Sequence, residues 1–265
     1  MKQAFLLFCC LLAPLAASGQ EPEGPKASRK LAASAAERAE TAEPRSLLEP
    51  ETELIDLPTA AVLDQGGFST RTRFFARGGV QEWLAFGVYP RVNIGASSNI
   101  DRIIGTDSPV QLTRPELQLK LRFYDGDRML PSAAIGFDGQ GYLYNRPDKA
   151  YNQRQRGLYV MGSQEVALPG LQFHAGTNIS EFETDAVYGF LGTCYNIQDK
   201  VKLMVEWDAI RDFFNSRVNM GLRTYLTPRF HLEFSVRAIG QGGLYPNGVR
   251  RGPERVMQFK YTGHF

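Results

Sequence analysis

The sequence predicts an all-β fold: a closed antiparallel transmembrane β-barrel of about twelve strands, preceded by a signal peptide and a flexible periplasmic spacer. Three observations predict it. From Gly67 onward apolar and polar residues alternate with a period of two almost everywhere. One parity collects charged residues and glycines, while the other is almost free of charge. The connections between strands alternate between short and long, as they do in bacterial outer-membrane barrels.

Composition excludes several other classes. The chain has 265 residues with 30 Lys and Arg against 28 Asp and Glu, so its net charge does not indicate a nucleic-acid partner. Beyond residue 20 no apolar run reaches the length of a membrane-spanning helix. Only Cys194 follows the N-terminal apolar run that holds Cys9 and Cys10, so the mature chain cannot form an intramolecular disulfide.

The first 19 residues have the order of a secretory signal peptide. Lys2 supplies the positive start, residues 4–17 are apolar, and Ala17-Ser18-Gly19 provides the small residues of a cleavage site. The mature protein is therefore expected to be exported.

Residues 20–60 differ in composition from the rest and are predicted to be a periplasmic spacer. Prolines flank a stretch rich in Ala, Glu and Arg that has helix propensity but no apolar stripe. Such a segment favours a tether that is disordered or transiently helical. The alternative is a plug inserted into the barrel, whose domain is predicted to span residues 61–265.

The strands are predicted from alternation. In one of them Leu117, Leu119 and Leu121 alternate with Gln118 and Lys120. Twelve such segments are expected, at 67–77, 84–88, 92–97, 117–123, 133–138, 155–166, 171–176, 185–195, 201–208, 217–223, 231–238 and 257–265.

The connections set the expected orientation. Short turns fall at 89–91, 125–131, 168–170, 196–200 and 227–229, and longer loops fall at 100–115, 144–155, 179–185, 209–215 and 240–254. The first connection, at 78–79, is the exception. With both chain ends in the periplasm, the short turns would be periplasmic and the long loops extracellular. Aromatic residues near strand ends predict girdles at the lipid interfaces, at Trp83, Tyr89, Tyr124, Tyr142, Tyr195, Tyr225 and Tyr261.

The last strand ends on Phe265, the last residue of the chain. Its alternation assigns Met257, Phe259, Tyr261 and Phe265 to lipid, and assigns Lys260 and His264 to the lumen side. Tyr261 and Phe265 are predicted to form the assembly signal that the barrel-assembly machinery reads. The other expected partner is outer-membrane lipid.

The charged parity predicts a network of lumen side chains. Its expected members are Lys120, Arg122, Asp138, Lys202, Glu206, Asp208, Arg217, Arg223, Glu233 and Arg237. Glu206 and Asp208 on one strand are expected to pair with Arg217 and Arg223 on the next. In a barrel of about twelve strands such pairs can fill the interior, whereas a selective pore would use the same side chains to set charge preference. A filled or narrow lumen is favoured over an open channel.

No catalytic, metal or cofactor site is predicted. His174, His231 and His264 all fall on the lumen parity, and their spacing matches no metal-ligand motif. A protease-like rim could use Glu183, Asp185, Asp208 and Asp212, but it has no histidine at that height to move a proton.

The middle of the chain resembles a known family. Lys120 to Phe123, then residues 130–138 (LPSAAIGFD), Gly141-Tyr142, 158–164 and the strand 171–178 follow in an order similar to YjbH-type outer-membrane proteins. The resemblance covers about a third of the chain, best between residues 115 and 180, and the chain is long enough for a single barrel. It implies an outer-membrane barrel linked to exopolysaccharide production or export, with polysaccharide-export proteins as partners.

Three functions are carried forward from the sequence. The first is a non-enzymatic outer-membrane barrel that serves such an envelope process. The second is a porin-like channel for small solutes, and the third is an outer-membrane hydrolase of the phospholipase or protease type.

Overall fold

The computed structural model describes residues 48–265 except 107–108, 128, 146, 148, 154, 167, 181–186, 212–215, 246–247 and 249. The predicted signal peptide, and the predicted spacer up to residue 47, lie outside the described residues. No helix in the described part of the chain is long and apolar enough to cross a membrane.

Fifteen strands are present among the described residues, and twelve of them form the barrel wall. The wall strands are β1 (Gly67–Phe75), β2 (Gly79–Tyr89), β3 (Val92–Asp101), β5 (Glu116–Tyr124), β6 (Ser132–Asp138), β9 (Gly157–Glu165), β10 (Leu171–Ile179), β11 (Val187–Ile197), β12 (Val201–Ile210), β13 (Arg217–Thr227), β14 (Phe230–Ile239) and β15 (Glu254–His264). The three short strands are β4 (Gln111–Leu112), β7 (Tyr142–Asn145) and β8 (Ala150–Gln153).

The wall closes on itself. Each wall strand pairs antiparallel with its neighbours, and β1 pairs with β15 from Gly67↔His264 to Phe74↔Met257. The pairing of β2 with β3 completes the circle. Closure leaves no row of unpaired backbone groups, which lipid could not satisfy. The predicted closed antiparallel barrel of twelve strands is confirmed.

The wall has its polar residues inside and its apolar residues outside. Arg223 and Glu233 are fully buried, whereas Leu117 is 67% exposed and Phe234 is 51% exposed. Among the described residues, the largest fully buried side chains include Arg73, Arg223, Arg237 and Lys260. This is the reverse of a soluble sandwich and is the polarity of a barrel that faces acyl chains.

The two ends of the barrel differ as the connections predict. One end carries the turns at 90–91, 125–131, 166–170, 198–200 and 228–229, and is called here the short-turn end. The other carries the longer connections together with the short connection Ala76–Gly78, the expected exception, and is called the long-loop end. There β4 extends the sheet beside β3, and β7 pairs with β8 as a separate hairpin. Tyr142 of that hairpin reaches Arg73 and Gln81 of the wall, so the hairpin folds over the lumen.

Residues 48–66, called here the inner segment, lie inside the barrel except at its rim, where Asp64 and Gln65 are exposed. They enter at the short-turn end, where Glu49 is 3.4 Å from His264. They reverse direction in the lumen, where the N–H of Leu54 donates to the carbonyl of Leu57 (2.8 Å). They return to β1 at Gly66. The described part of the predicted spacer, residues 48–60, is therefore not a tether outside the barrel, and the plug alternative describes it better.

Apolar side chains explain why the inner segment lies inside. Leu54 and Ile55 are buried against Cys194 and Met204 of the wall, and Leu63 is buried against Trp83. The wall leaves room with glycines. A Cβ at Gly87 would lie 2.0 Å from the carbonyl oxygen of Asp64, and one at Gly192 would lie 2.8 Å from Leu54. The wall and the segment therefore fit each other closely.

The predicted aromatic girdle is correct for only part of its members. Tyr89, Tyr124, Tyr195 and Tyr261 are exposed near the short-turn end. Trp83, Tyr142 and Tyr225 instead face the interior: Trp83 packs on Leu63, and the hydroxyl of Tyr225 contacts Glu51. Strand-end position alone does not determine the direction of a side chain, which follows strand parity.

The end of the chain gives a first testable prediction. Phe265 is 89% exposed, yet its ring lies 5.0 Å from that of Phe68 and stacks on Phe86 at 6.2 Å, beside the seam between β1 and β15. Deleting Phe265 is expected to lower the amount of folded barrel in the outer membrane more than it lowers synthesis. Heat-modifiable migration in detergent gels measures the folded fraction. Phe123→Ala, at an exposed position away from the seam, is the control. Normal folded levels after the deletion would contradict the predicted assembly role.

Candidate functional site: the charged lumen

Three carboxylates of the inner segment each lie between basic side chains of the wall. Glu51 contacts Lys202 and lies 2.7 Å from Arg223. Glu53 contacts Arg71 and lies 3.3 Å from Lys260. The barrel thus holds this acidic segment through cations that belong to four strands, β1, β12, β13 and β15.

Asp56 has the most contacts of the three. One of its oxygens lies 2.7 Å from Arg73, and the other lies 2.6 Å from Arg237. Arg156 donates to its backbone carbonyl at 3.2 Å. Arg237 in turn lies 4.1 Å from the centre of the Tyr142 ring, close enough for a cation–π contact. The tip of the inner segment is therefore clamped by arginines from two sides.

Wall cations also bind the backbone of the inner segment. The ammonium group of Lys120 donates to the carbonyls of Thr52 (2.6 Å) and Thr59 (3.1 Å). Arg223 donates to the carbonyl of Leu54 at 2.8 Å. Because lumen side chains satisfy these carbonyls, the segment needs no regular secondary structure there.

Glu206 binds the N–H groups of the inner segment, whereas the wall cations bind its carbonyl groups. Its carboxylate accepts the backbone N–H groups of Ile55 (2.7 Å), Asp56 (3.0 Å) and Leu57 (3.0 Å), and it also accepts Asn219 at 2.9 Å. The sequence predicts an arginine partner for Glu206, and this is wrong. The reason is register, because Glu206 lies opposite Asn219 on β13, whereas Asp208 lies opposite Arg217.

The other members of the predicted network lie at different places in the barrel. Asp208 pairs with Arg217 at 2.5 Å as expected, and Arg223 pairs with Glu233 at 2.6 Å. Lys120, Lys202 and Arg237 are buried in the lumen, and Asp138 lines its cavity. Arg122 does not join them. It is 30% exposed and pairs with Asp125 in a turn at the short-turn end, 3.0 Å away.

A cavity of about 290 Å³ lies above the tip of the inner segment, towards the long-loop end. Its floor includes Glu53, Ile55 and Asp56, and Tyr245 and Gln241 of the 240–253 connection reach into its lining. Six arginines also line it, namely Arg71, Arg73, Arg156, Arg217, Arg237 and Arg251. Four carboxylates share that lining, so the cavity is polar and carries more positive than negative side chains.

The electrostatics of the three segment carboxylates follow from these contacts. Burial by itself would raise the pKa of Asp56, but Arg237 and Arg73 outweigh it and hold that pKa well below its usual range. Burial likewise opposes ionisation of Glu53 and Glu51, and the cations that contact them again keep the pKa of each group low. All three are therefore ionised at neutral pH.

Ser163 and His174 form a pair that the sequence did not predict. The Oγ of Ser163 lies 2.7 Å from Nδ1 of His174 and accepts the N–H of Ala60 at 2.9 Å. Nε2 of His174 faces the thiol of Cys194 at 3.7 Å. No described carboxylate orients the ring, and His174 is 2% exposed beneath the inner segment. The pair therefore fixes Ala60 and is not placed to receive a lipid or peptide substrate.

Other candidate groups form no site among the described residues. No group of three potential metal ligands occurs among the described residues. Glu183, Asp185 and Asp212 lie outside the described residues. His231 is buried in the lumen, and its ring lies edge-on to Tyr225.

Several residues that hold the inner segment lie outside the predicted set of lumen charges. Arg71 and Arg73 of β1, Arg156 beside β9 and the three carboxylates of the inner segment were not among the predicted lumen charges. Two signals could have identified them. Arg71 and Arg73 share one parity of β1 and alternate with threonines on the other. Leu54, Ile55 and Leu57 are large apolar residues within the predicted spacer.

Comparison with known proteins identifies no family. No protein-family model matches this chain, and no curated protein matches it. Among solved structures, the KdgM porin is 10% identical with a TM-score of 0.48 and covers 75% of this chain and 99% of its own. The NanC porin is 12% identical with a TM-score of 0.42, at the same two coverages. Likenesses this distant identify no solute for this chain.

Proposed function

We propose that this protein is a non-enzymatic, porin-like channel of the bacterial outer membrane whose lumen is closed by the inner segment. One observation carries the proposal: a polar, charged cavity at the long-loop end leads to a segment that is joined to the wall only at β1 and is otherwise held in the lumen by non-covalent contacts. A barrel of twelve strands lies between the eight-stranded barrels that side chains fill and the larger porins that hold water. Removal of the segment would leave a lumen lined by ionised side chains, which suits a solute path.

The alternatives have less support. The Ser163–His174 pair is covered by the inner segment, and no carboxylate of the described residues orients it, which disfavours a hydrolase. The resemblance to YjbH-type proteins and the link to exopolysaccharide stay predictions, because neither a family match nor a feature of the lumen bears on them.

Single-channel recording in planar bilayers tests the proposal. The wild-type chain is expected to give rare openings, because the inner segment is held by ion pairs to six wall cations. The variant Glu51→Gln/Glu53→Gln/Asp56→Asn keeps the size of each side chain but removes those charges, and it is expected to give frequent, stable conductance steps. Its fold is checked by heat-modifiable migration.

Asp64→Asn is the matched control, because Asp64 lies in the same segment but is exposed and makes no ion pair among the described residues. Absence of conductance steps from a folded triple variant would overturn the channel proposal.

A further inference from the structure

The contacts of the inner segment show what the wall is built to bind. Six cations contact its three carboxylates: Arg71, Arg73, Lys202, Arg223, Arg237 and Lys260. Among the described ion pairs, only Arg223 and Arg237 also have a carboxylate partner on the wall, Glu233 and Glu254 respectively. When the segment leaves the lumen, only two wall carboxylates therefore remain paired with these six cations.

These cations form three built sites, and each one already holds a carboxylate. Arg73 and Arg237 bind the two oxygens of Asp56 separately, at 2.7 and 2.6 Å. Tyr225 adds a hydroxyl contact to Glu51 beside Lys202 and Arg223. Arginine forks and lysine ammonium groups that meet a carboxylate in this way are common in anion recognition. Gln258, Glu233 and Glu254 of the wall contact Arg73, Arg223 and Arg237 respectively, so the wall itself orients these arginines.

The three sites lie along one path. Glu51, Glu53 and Asp56 fall within six residues of one chain that climbs from the short-turn end towards the cavity. Three further arginines of that cavity, Arg156, Arg217 and Arg251, continue the lining towards the long-loop end. An elongated solute that bears several carboxylates could occupy these sites in turn.

We propose that the inner segment occupies carboxylate sites that serve the transported solute, so that the open channel selects organic anions carrying two or more carboxylates. The inference rests on the proposed channel function and adds a substrate class to it. The segment then acts as an internal competitor: it neutralises the wall while the channel is closed, and a polycarboxylate takes its place on the same cations when the channel opens.

Ion selectivity of the full-length Glu51→Gln/Glu53→Gln/Asp56→Asn variant is the first measurement. In a potassium chloride gradient its reversal potential is expected to show a several-fold preference for chloride over potassium, because the wall carries unpaired positive charge. Adding Lys202→Gln and Lys260→Gln is expected to reduce that preference. Asp56→Asn alone is expected to show a smaller preference for chloride over potassium. This single variant replaces the triple variant in the measurement if the triple variant does not assemble.

Competition by a polycarboxylate is the second measurement. Tricarballylate, added from the long-loop side, is expected to reduce the chloride current of the triple variant at concentrations where extra chloride of equal ionic strength does not. The block is expected to weaken when Lys202 and Lys260 are replaced.

The outcomes separate the two proposals. A folded triple variant without current overturns the channel function itself. Current without anion preference, or anion preference without block by tricarballylate, leaves the channel function standing and overturns the carboxylate sites.

Discussion

Replacing Glu206 with alanine is expected to release the inner segment from the lumen. Glu206 accepts three successive backbone N–H groups, those of residues 55, 56 and 57, which no other described group accepts. Removal of the acceptor leaves three buried N–H groups unpaired, and each unpaired buried donor costs about 1–3 kcal/mol. The segment is therefore expected to lose about 3–5 kcal/mol of its binding to the wall.

Hydrogen exchange of the amides at 55–57 in detergent measures this release. These amides are expected to be protected in the wild-type chain and to exchange rapidly in Glu206→Ala, while the amides of the wall strands stay protected. Glu206→Gln keeps one acceptor oxygen and is expected to give an intermediate result. Glu82→Gln is the control, because it removes a carboxylate from an exposed position on the wall. Unchanged protection at 55–57 in Glu206→Ala would contradict this role and would show that the ion pairs and apolar contacts hold the segment without Glu206.

Acid is expected to release the same segment. Glu51, Glu53 and Asp56 lie outside the wall strands. Burial alone would raise the pKa of each carboxyl group, but the basic side chains around it outweigh burial and lower that pKa while the segment is bound. A group whose pKa is lowered in the folded state contributes stability that is complete above its unfolded pKa, about 3.9 for Asp and 4.3 for Glu. That contribution is lost as the pH falls from there through the folded pKa.

The size of the acid effect follows from linkage. Below the unfolded pKa each of the three carboxylates loses about 1.4 kcal/mol per pH unit until its folded pKa is reached. Protease accessibility of the inner segment, measured from pH 7 to pH 3, is expected to stay low down to about pH 4.5 and to rise below it. The triple amide variant should show no such rise. A transition centred near pH 6 would indicate that other groups control the segment.

Strand parity explains why so much of the barrel wall is predictable from the sequence. In β5, Leu117, Leu119 and Leu121 face outward and Lys120 faces the lumen, because successive side chains of a strand point to opposite faces. The same rule placed Lys202, Asp208, Arg223 and Arg237 correctly. It fails where a residue lies at a strand end, as with Arg122, which pairs within its own turn.

Cross-strand partners were harder to predict than faces. A shift of one residue in register changes every partner, and register depends on turn geometry that alternation does not encode. Asp208 meets Arg217 as expected, but Glu206 meets Asn219 and is left to bind the inner segment. The predicted carboxylate–arginine pairing was therefore right for one of these two acids.

By itself the sequence determined the class of this protein: a closed barrel of twelve strands, apolar outside and charged inside, with short turns at one end and long loops at the other. These features follow from a local period of two and from local turn composition. Only the tertiary structure decided that residues 48–66 fill the lumen and that Glu51, Glu53 and Asp56 neutralise its cations. Those contacts join residues that lie up to about two hundred positions apart in the chain. They depend on closure of the barrel, which brings cations from separate strands around one segment, and no local pattern records that arrangement.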